Sequence, residues 1–215
     1  MPLRIGEPRG DRLRILALGS HPDDVEIGAG GTIARLMEER PGAELWIVVF
    51  SATPERAAEA RTSAAALAPD RQVTLTIADL PDRSFPSAML KLKTRLEAIA
   101  GESVPDLILT PRLEDRHQDH RALAEATWQT FRDHLVLEYE IPKYEGDLGS
   151  PNLYVPLSAE AVRRKVDHLT THFPSQADRT WFDAEAFRAI LRLRGIESAA
   201  PSAYAEAFTA RKLII

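Results

Sequence analysis

Residues 16–36, LALGSHPDDVEIGAGGTIARL, carry the pattern that decides the fold. The compact apolar run over residues 13–18 predicts a strand, and residues 32–40 have the composition of a helix. Between them lie a polar loop and a cluster of three glycines that begins at Gly28. The order strand, loop, helix predicts the first unit of an α/β fold.

The same alternation of apolar runs and amphipathic stretches continues along the chain. Further strands are predicted at residues 45–50, 73–78, 107–109 and 135–141. Helices are predicted between them at residues 54–67, 90–101 and 120–134. This βαβαβαβαβ order predicts an α/β protein, with a Rossmann-like, open, mostly parallel sheet and helices on both faces.

The pattern changes after Ile141. A turn-rich loop, KYEGDLGSPN, follows, and the remaining sequence has mainly helical spacing, with Ser158 and Asp183 as candidate helix caps. We therefore expect a single domain over residues 1–215. Its Rossmann-like core would cover residues 1–141, and a mainly helical elaboration at 142–215 would contribute to the substrate pocket.

Composition limits the chemistry of the chain. It has 215 residues, 6 histidines and no cysteine, so any metal must be held by nitrogen and oxygen atoms. The 27 Lys plus Arg stand against 32 Asp plus Glu, which leaves a formal net charge of -5 and no large basic field for nucleic acid. No apolar run approaches the roughly 18 residues of a membrane span, and residues 1–14 lack an apolar signal region. We expect a cytoplasmic protein that binds neither nucleic acid nor a membrane. Assembly into a homo-oligomer is compatible with these observations.

Two clusters of histidine and aspartate follow predicted strands. Residues 20–26, SHPDDVE, come directly after the first strand, and residues 115–120, DRHQDH, come shortly after the strand at 107–109. In an open α/β sheet, loops beyond the carboxyl ends of the strands share one edge, and ligands bind there where the strand order reverses. We therefore expect the two clusters to meet.

The residue types of these clusters suit a hydrolytic metal centre. His21, Asp24 and His120 form a two-histidine, one-carboxylate set that leaves a coordination position open for water. Such a centre activates water for hydrolysis, provided that a carboxylate outside the ligand set can take the proton. Asp23 is the candidate for this general base.

His117 is the candidate for stabilising an oxyanion or protonating a leaving amine. Asp119 or Asp115 could orient the His117 ring and raise its basicity. The structural alternative is that His117 or Asp119 only caps the following helix, and that HPDD forms an Asx-type turn with an N-capping carboxylate before a glycine-rich helix start. The occurrence of both clusters after buried-looking strands, in a chain with 6 histidines, favours the metal site.

These segments also carry a family resemblance. LALGSHPDDVEIGAGGTIARL, followed later by DRHQDH, resembles the PIG-L/LmbE-type metal-dependent N-acetylglucosaminyl deacetylases, whose hallmarks are an HPDD-type motif and a later H-x-D-H motif. Arg56 and Glu59 match an R-x-x-E element of that family. Ser175-Gln176, Arg194-Gly195 and YAEAF at 204–208 look like blocks of its bacterial members, so the resemblance covers nearly the whole chain.

The resemblance implies a role for each matching residue. It implies that His21, Asp24 and His120 bind Zn²⁺, with another divalent metal such as Fe²⁺ as the alternative. It makes Asp23 the general base and lets His117 stabilise the tetrahedral intermediate. It also implies the substrate class, an N-acetyl amino sugar or its conjugate, which is cleaved to acetate and a free amine.

Four further residues are candidate substrate contacts: Arg56, Arg112, Gln176 and Trp181. Asp115 stands where some relatives have a tyrosine, so Arg112, Arg56 or backbone amides would supply the oxyanion contact of that tyrosine. Trp181 lies beside a polar run and is the candidate for stacking on a sugar ring.

Two rival functions stay open. One keeps the metal site but acts on another small N-acyl compound. The other is a non-catalytic nucleotide- or metal-binding Rossmann-like module, although the glycines after the first strand do not follow the G-x-G-x-x-G spacing of dinucleotide-binding turns.

Overall fold

The structure is a computed structural model that describes residues 12–213. The strands are β1 (Arg14–Gly19), β2 (Glu44–Val49), β3 (Val73–Ile77), β4 (Leu107–Pro111), β5 (Val136–Tyr139), β6 (Leu153–Pro156) and β7 (Ala205–Ala210). The helices are α1 (Asp24–Glu39), α2 (Pro54–Leu67), α3 (Met89–Glu102), α4 (Gln118–Thr130), α5 (Ala159–His172) and α6 (Ala184–Glu197). The segment at 1–14, which carries the expectation of no signal region, lies largely outside the described residues.

These strands form one sheet in the order β3-β2-β1-β4-β5-β7-β6. Strands β1 to β5 pair with one another in parallel, whereas β7 pairs antiparallel with both β5 and β6. The strand order reverses at β1, which lies between β2 and β4. The prediction of an open, mostly parallel α/β sheet is confirmed.

Side chains of the central strands alternate between two apolar cores, one on each face of the sheet. In β1, Ile15 and Ala17 join the core that contains residues of α1 and α5, whereas Leu16 and Leu18 join the core that contains residues of α3 and α4. Because helices cover both faces of the sheet, the side chains on both faces of its central strands are buried, which explains the near-continuous apolar sequences of these strands. The prediction of helices on both faces is confirmed.

Helix α1 begins at Asp24, earlier than the sequence pattern predicts. The glycines at 28, 30 and 31 lie inside this helix instead of preceding it. A Cβ atom on Gly28 would lie 2.1 Å from Cδ2 of Tyr139, so glycine lets the helix approach β5 closely. Tyr139 uses this position to donate its hydroxyl hydrogen to the carbonyl of Leu18, at 2.6 Å. The glycines therefore serve packing, and the helix starts within the HPDD motif.

The carboxy-terminal elaboration contributes two strands that the sequence pattern did not predict. β6 and β7 extend the sheet at one edge; along the chain, β6 precedes α5 and β7 follows α6. β6 has only four residues, and β7 alternates small and large side chains that are nearly all buried, so neither shows the apolar-polar alternation of an exposed strand. Helix α4 ends at Thr130, before the predicted end at 134.

In the part of the chain that the structure describes, no helix combines the length and the apolar character needed to cross a membrane.

Replacing Gly28 by alanine is expected to destabilise the protein, because the added methyl group meets the Tyr139 ring. Overpacking of this kind costs about 1–3 kcal/mol of unfolding free energy. Urea denaturation measures the change. Gly101→Ala is the matched control, because nothing lies within 4 Å of the added Cβ atom and the site is helical. Equal stability of the Gly28 variant and the wild type would contradict this account of the packing.

Candidate functional site

The reversal of strand order brings the two predicted clusters together. The loop after β1 holds His21, Asp23 and the start of α1, and the loop after β4 holds His117 and the start of α4. β1 and β4 are neighbouring parallel strands, so their carboxyl ends open on the same edge of the sheet. This arrangement brings the two distant segments together at one place, as expected.

Three side chains place nitrogen and oxygen atoms around a common point. His21 Nδ1 lies 3.4 Å from His120 Nε2 and 3.7 Å from Asp24 Oδ2. His120 Nε2 lies 3.4 Å from the same Asp24 oxygen. In a tetrahedral zinc site with bonds of about 2.0–2.1 Å, ligand atoms lie about 3.3–3.4 Å apart. The two separations of 3.4 Å fit such a metal, and the third, of 3.7 Å, is slightly longer. In a second set of potential ligands, one atom each of His21, His117 and Asp119 lies within 4.8 Å of the others.

Carboxylates behind the two histidines fix their rings. Asp115 Oδ2 lies 3.0 Å from His120 Nδ1, and Asp119 Oδ2 lies 3.3 Å from His21 Nε2. Asp82 Oδ1 lies 3.0 Å from the same His21 nitrogen. With one ring nitrogen facing a carboxylate, the other nitrogen of each histidine is left to face the common point. The expectation that Asp119 orients His117 is corrected, because its carboxylate faces His21 instead.

The electrostatics of both histidines follow from these contacts. Burial disfavours the charged form of His21, but hydrogen bonds to Asp119 and Asp82 outweigh it and raise its pKa to about 10. Burial likewise opposes charge on His120, yet Asp24 and Asp115 raise its pKa to about 9. The site therefore favours positive charge at the point where the ligand atoms meet.

Asp24 is the acidic member of this set. Burial alone would raise its pKa, but His120 and His21 lower it below the ordinary range for aspartate. Its Oδ2 also accepts a hydrogen bond from the backbone N–H of His21, at 2.9 Å. Asp24 is thus held as a carboxylate within the HPDD loop.

Asp23 occupies a strained position at the amino end of α1. Its φ is 90°, in the left-handed region, and its side chain does not cap the helix. Oδ1 pairs with Nη2 of Arg56 at 3.0 Å, whereas the buried Oδ2 has no hydrogen-bond partner among the described residues. The structural alternative of an N-capping carboxylate therefore does not describe Asp23.

Burial raises the pKa of Asp23 to about 7, although Arg56 opposes the rise. Arg56 also donates from Nη2 to the carbonyl oxygen of Pro22, so it ties α2 to the HPDD loop. A carboxyl group with one oxygen held and the other free can accept and return a proton.

His117 both caps a helix and lines the site. Its Nδ1 accepts a hydrogen bond from the backbone N–H of Asp119, at 3.3 Å. Burial, and then the neighbouring His120 and His21, lower the pKa of His117. A neutral ring that accepts through Nδ1 carries its proton on Nε2, so His117 is a hydrogen-bond donor. The capping alternative and the proposed catalytic position are therefore compatible.

A cavity of about 790 Å³ opens above this cluster. Arg56, Gln176 and Trp181, three of the predicted substrate contacts, line it. Arg56 is turned toward Asp23, and Gln176 Nε2 donates to Ser175 Oγ at 3.0 Å. The carboxy-terminal elaboration thus supplies part of the cavity wall.

The expected substrate contact through Arg112 is corrected. Arg112 is buried and is not among the residues that line the cavity. Its Nη1 faces Glu140 Oε1 at 3.3 Å and the Asp147 carbonyl at 3.1 Å, and its guanidinium fits against Gly149. The absence of a Cβ atom at Gly149 leaves room for the guanidinium, which belongs to a buried ion network.

Two functional candidates escaped the sequence analysis. Asp82 reaches His21 from the loop after β3, and Lys143 Nζ lies 2.8 Å from Asp115 Oδ2. Lys143 also pairs with Asp147 at 3.0 Å. Asp82 follows a strand at the same edge of the sheet, a position that could have marked it, whereas no local pattern marks Lys143.

Comparison with known proteins gives one family and several relatives. The model of the PIG-L family, described as GlcNAc-PI de-N-acetylase, matches residues 16–131. The uncharacterized deacetylase YaiS of Escherichia coli (strain K12) is 32% identical over an alignment of 144 residues; the match covers 61% of this chain and 75% of YaiS.

Two solved structures share the fold at lower identity. The N,N'-diacetylchitobiose deacetylase of Pyrococcus horikoshii has a TM-score of 0.71 and 20% identity, over 91% of this chain and 82% of that one. GalB, the 4-carboxy-2-hydroxymuconate hydratase of Pseudomonas putida KT2440, has a TM-score of 0.68 and 17% identity, over 94% and 98% of the two chains. The family match includes both the HPDD and the HQDH segments, and the chain belongs to the PIG-L (GlcNAc-PI de-N-acetylase) family.

Proposed function

We propose that the protein is a metal-dependent hydrolase that removes the acetyl group from an N-acetyl amino sugar or its conjugate. Water adds to the amide carbonyl, the C–N bond breaks, and acetate and a free amine leave. The observation that carries the proposal is the free, buried Oδ2 of Asp23 beside three ligand atoms 3.4–3.7 Å apart. This combination supplies both a base and a metal site for hydrolysis.

His21 Nδ1, Asp24 Oδ2 and His120 Nε2 would hold the metal, for which we propose Zn²⁺ with Fe²⁺ as the alternative. The support is the donor set of two imidazoles and one carboxylate at tetrahedral separations. A divalent ion there would polarise the substrate carbonyl and acidify water. In the second set, Asp119 faces His21 at Nε2, the nitrogen that Asp82 also approaches.

Asp23 would act as the general base and then as the acid. Arg56 holds Oδ1, so the free Oδ2 is the oxygen that takes a proton from the attacking water. The same oxygen can return that proton to the nitrogen of the departing amine, which keeps the step balanced. A pKa near 7, raised by burial, suits a group that must both accept and release a proton.

His117 would donate a hydrogen bond from Nε2 to the oxygen that becomes negative in the tetrahedral intermediate. Its Nδ1 is already engaged with the Asp119 backbone, so the donor is fixed in direction before the substrate arrives. Asp115 and Asp119 would act as positioning residues, because each holds a proposed metal-binding histidine instead of touching the substrate.

The proposed substrate class rests on the relatives. The diacetylchitobiose deacetylase shares the fold and acts, by its name, on an N-acetylated sugar. GalB shares the fold as well and is a hydratase, so the fold alone does not choose the reaction. We propose that residues 142–215 belong to the same domain as the core and that Gln176 and Trp181 contact the sugar, because both line the cavity.

Asp23→Asn should lower turnover by about 100-fold or more, because an amide cannot take the proton from water. Affinity for Zn²⁺, measured by titration of the metal-free protein, should stay within a few-fold of wild type, since Asp23 is not a proposed ligand. Amine release under saturating metal gives the turnover number. Turnover close to wild type, or loss of metal binding, would rule out the assigned role.

Asp119→Asn should weaken Zn²⁺ binding by about 10–100-fold, because the His21 ring loses the carboxylate behind it. Competition with a chromophoric chelator measures the affinity, and circular dichroism checks the fold. Asp79→Asn is the matched control: Asp79 lines the same cavity but is exposed and pairs with Lys91. Equal affinity of the Asp119 variant and this control would contradict the positioning role.

A panel of N-acyl compounds tests the substrate class. N-acetylglucosamine and its glycosides should give acetate and amine in equal amounts, and other N-acyl compounds and enol acids should react far more slowly. Chelation of the metal should stop the reaction, and Zn²⁺ or Fe²⁺ should restore it. Preferential turnover of an N-acyl compound without a sugar, or activity that survives full metal removal, would overturn the proposal.

A further inference from the structure

Helix α2 carries a buried carboxylate that the proposed function does not use. Glu59 is 8% exposed and lies three residues after Arg56, which holds the proposed base. Both of its carboxyl oxygens accept hydrogen bonds from one residue far along the chain. Oε1 accepts from the backbone N–H of Ser175 at 2.8 Å, and Oε2 accepts from the Ser175 hydroxyl at 2.7 Å. These two bonds tie α2 to the short 3-10 turn at Pro174–Gln176, which follows α5.

The hydroxyl of Ser175 is at the centre of this contact, and three groups surround its oxygen. They are Glu59 Oε2 at 2.7 Å, Gln176 Nε2 at 3.0 Å and Arg56 Nη1 at 3.4 Å. A hydroxyl has one hydrogen to donate and two lone pairs that accept, so three partners use its full capacity.

The chemistry of these partners decides where the hydroxyl hydrogen lies. A carboxylate only accepts and a guanidinium only donates, so the hydrogen of Ser175 lies on Glu59 and Arg56 takes one lone pair. Arg56 Nη1 also lies 3.8 Å from Glu59 Oε2, and its positive charge favours the ionised carboxylate. Ser175 therefore has no hydrogen left for the side-chain amide of Gln176.

This arrangement fixes which end of the Gln176 amide bonds Ser175. The oxygen of Ser175 can only accept from the amide, so the NH₂ group faces it and the carbonyl oxygen faces away. Within residues 12–213, that carbonyl oxygen takes part in no hydrogen bond, and Gln176 lines the cavity above the candidate metal site. The oxygen is thus available to accept a hydrogen bond from a ligand in this cavity.

We propose that Glu59 and Ser175 are positioning residues that hold the Gln176 amide with its oxygen available to the substrate. The inference rests on the proposed function, in which Gln176 contacts the sugar. It adds the polarity of that contact: Gln176 accepts from a hydroxyl or an amide N–H, both of which N-acetyl amino sugars offer.

Without the Glu59 carboxylate, the Ser175 hydroxyl could donate to the carbonyl oxygen of Gln176 instead. The amide could then turn over and present its NH₂ group to the cavity. A side chain that exchanges between two orientations must be ordered when the substrate binds, and this ordering weakens the affinity.

The first test needs no substrate. Nitrogen-15 NMR of the full protein follows the side-chain NH₂ group of Gln176, one of four glutamines in the sequence. Its heteronuclear NOE should exceed that of the exposed Gln72, because Ser175 holds it. Ser175→Ala removes only the hydroxyl and should lower the NOE to that of Gln72. Glu59→Gln should lower it as well, whereas Glu55→Gln, an exposed position of the same helix, should leave it unchanged.

The second test measures kcat and KM on an N-acetylglucosamine glycoside. Ser175→Ala and Glu59→Gln should each raise KM by about 3–10-fold, the usual worth of one hydrogen bond, with little change in kcat. The double variant should raise KM no further, because both residues act through one hydroxyl. Ser175→Thr restores the hydroxyl and should recover a KM below that of Ser175→Ala. A contact that only stabilised the fold would lower Tm and leave KM unchanged.

The two tests separate this inference from the proposed function. An unchanged NOE of Gln176 in both variants, an unchanged KM, or KM effects that multiply in the double variant would overturn the inference. Ser175→Ala decides the question if Glu59→Gln fails to fold. A wild-type protein that leaves N-acetyl sugars intact would refute the proposed function, and the NMR result would still decide the positioning roles of Glu59 and Ser175.

Discussion

The reversal of strand order at β1 is the constraint on which the site depends. β1 pairs with β2 on one side and with β4 on the other, so the loops after β1 and β4 are neighbours although nearly a hundred residues of chain separate them. The proposed metal ligands, Asp23 and His117, and the aspartates behind the histidines all come from these loops, from the loop after β3, or from the helices that begin there, and Arg56 joins them from α2. The sheet thus positions the chemistry.

Charge balance is the second requirement of this arrangement. Four aspartates, at 24, 82, 115 and 119, face His21 and His120. Arg56, Arg83 and Lys143 are cations near this cluster. Gathering carboxylates at a largely buried place costs free energy unless positive charge compensates them. Protons on the two histidines can supply that charge, and a divalent ion in their place would supply it as well. The same carboxylates that raise the histidine pKa values would therefore favour the bound metal.

The parallel core of the sheet and the position of both histidine and aspartate clusters were predictable from the sequence, because strand, loop and helix patterns place both clusters after buried strands. The juxtaposition of His21, Asp24 and His120 needed only the rule that parallel strands share an edge. The direction of individual side chains was not predictable: Asp119 turns to His21 instead of His117, and Arg112 is drawn into the network around Glu140. The sequence pattern did not predict β6 and β7, because β7 is held by pairing with β5 and by burial, and β6 is held by pairing with β7; neither leaves an alternating pattern in the sequence.

The proposed ligand set, which follows from the contacts behind each histidine, can be tested by one diffraction measurement. Crystals of the zinc-loaded protein, measured on both sides of the zinc absorption edge, would locate the ion directly. The account predicts a single anomalous peak bonded to His21 Nδ1, Asp24 and His120 Nε2, with Asp23 and His117 outside the bonding distance. A peak bonded to His117 and Asp119, or no ordered zinc at this edge of the sheet, would contradict it.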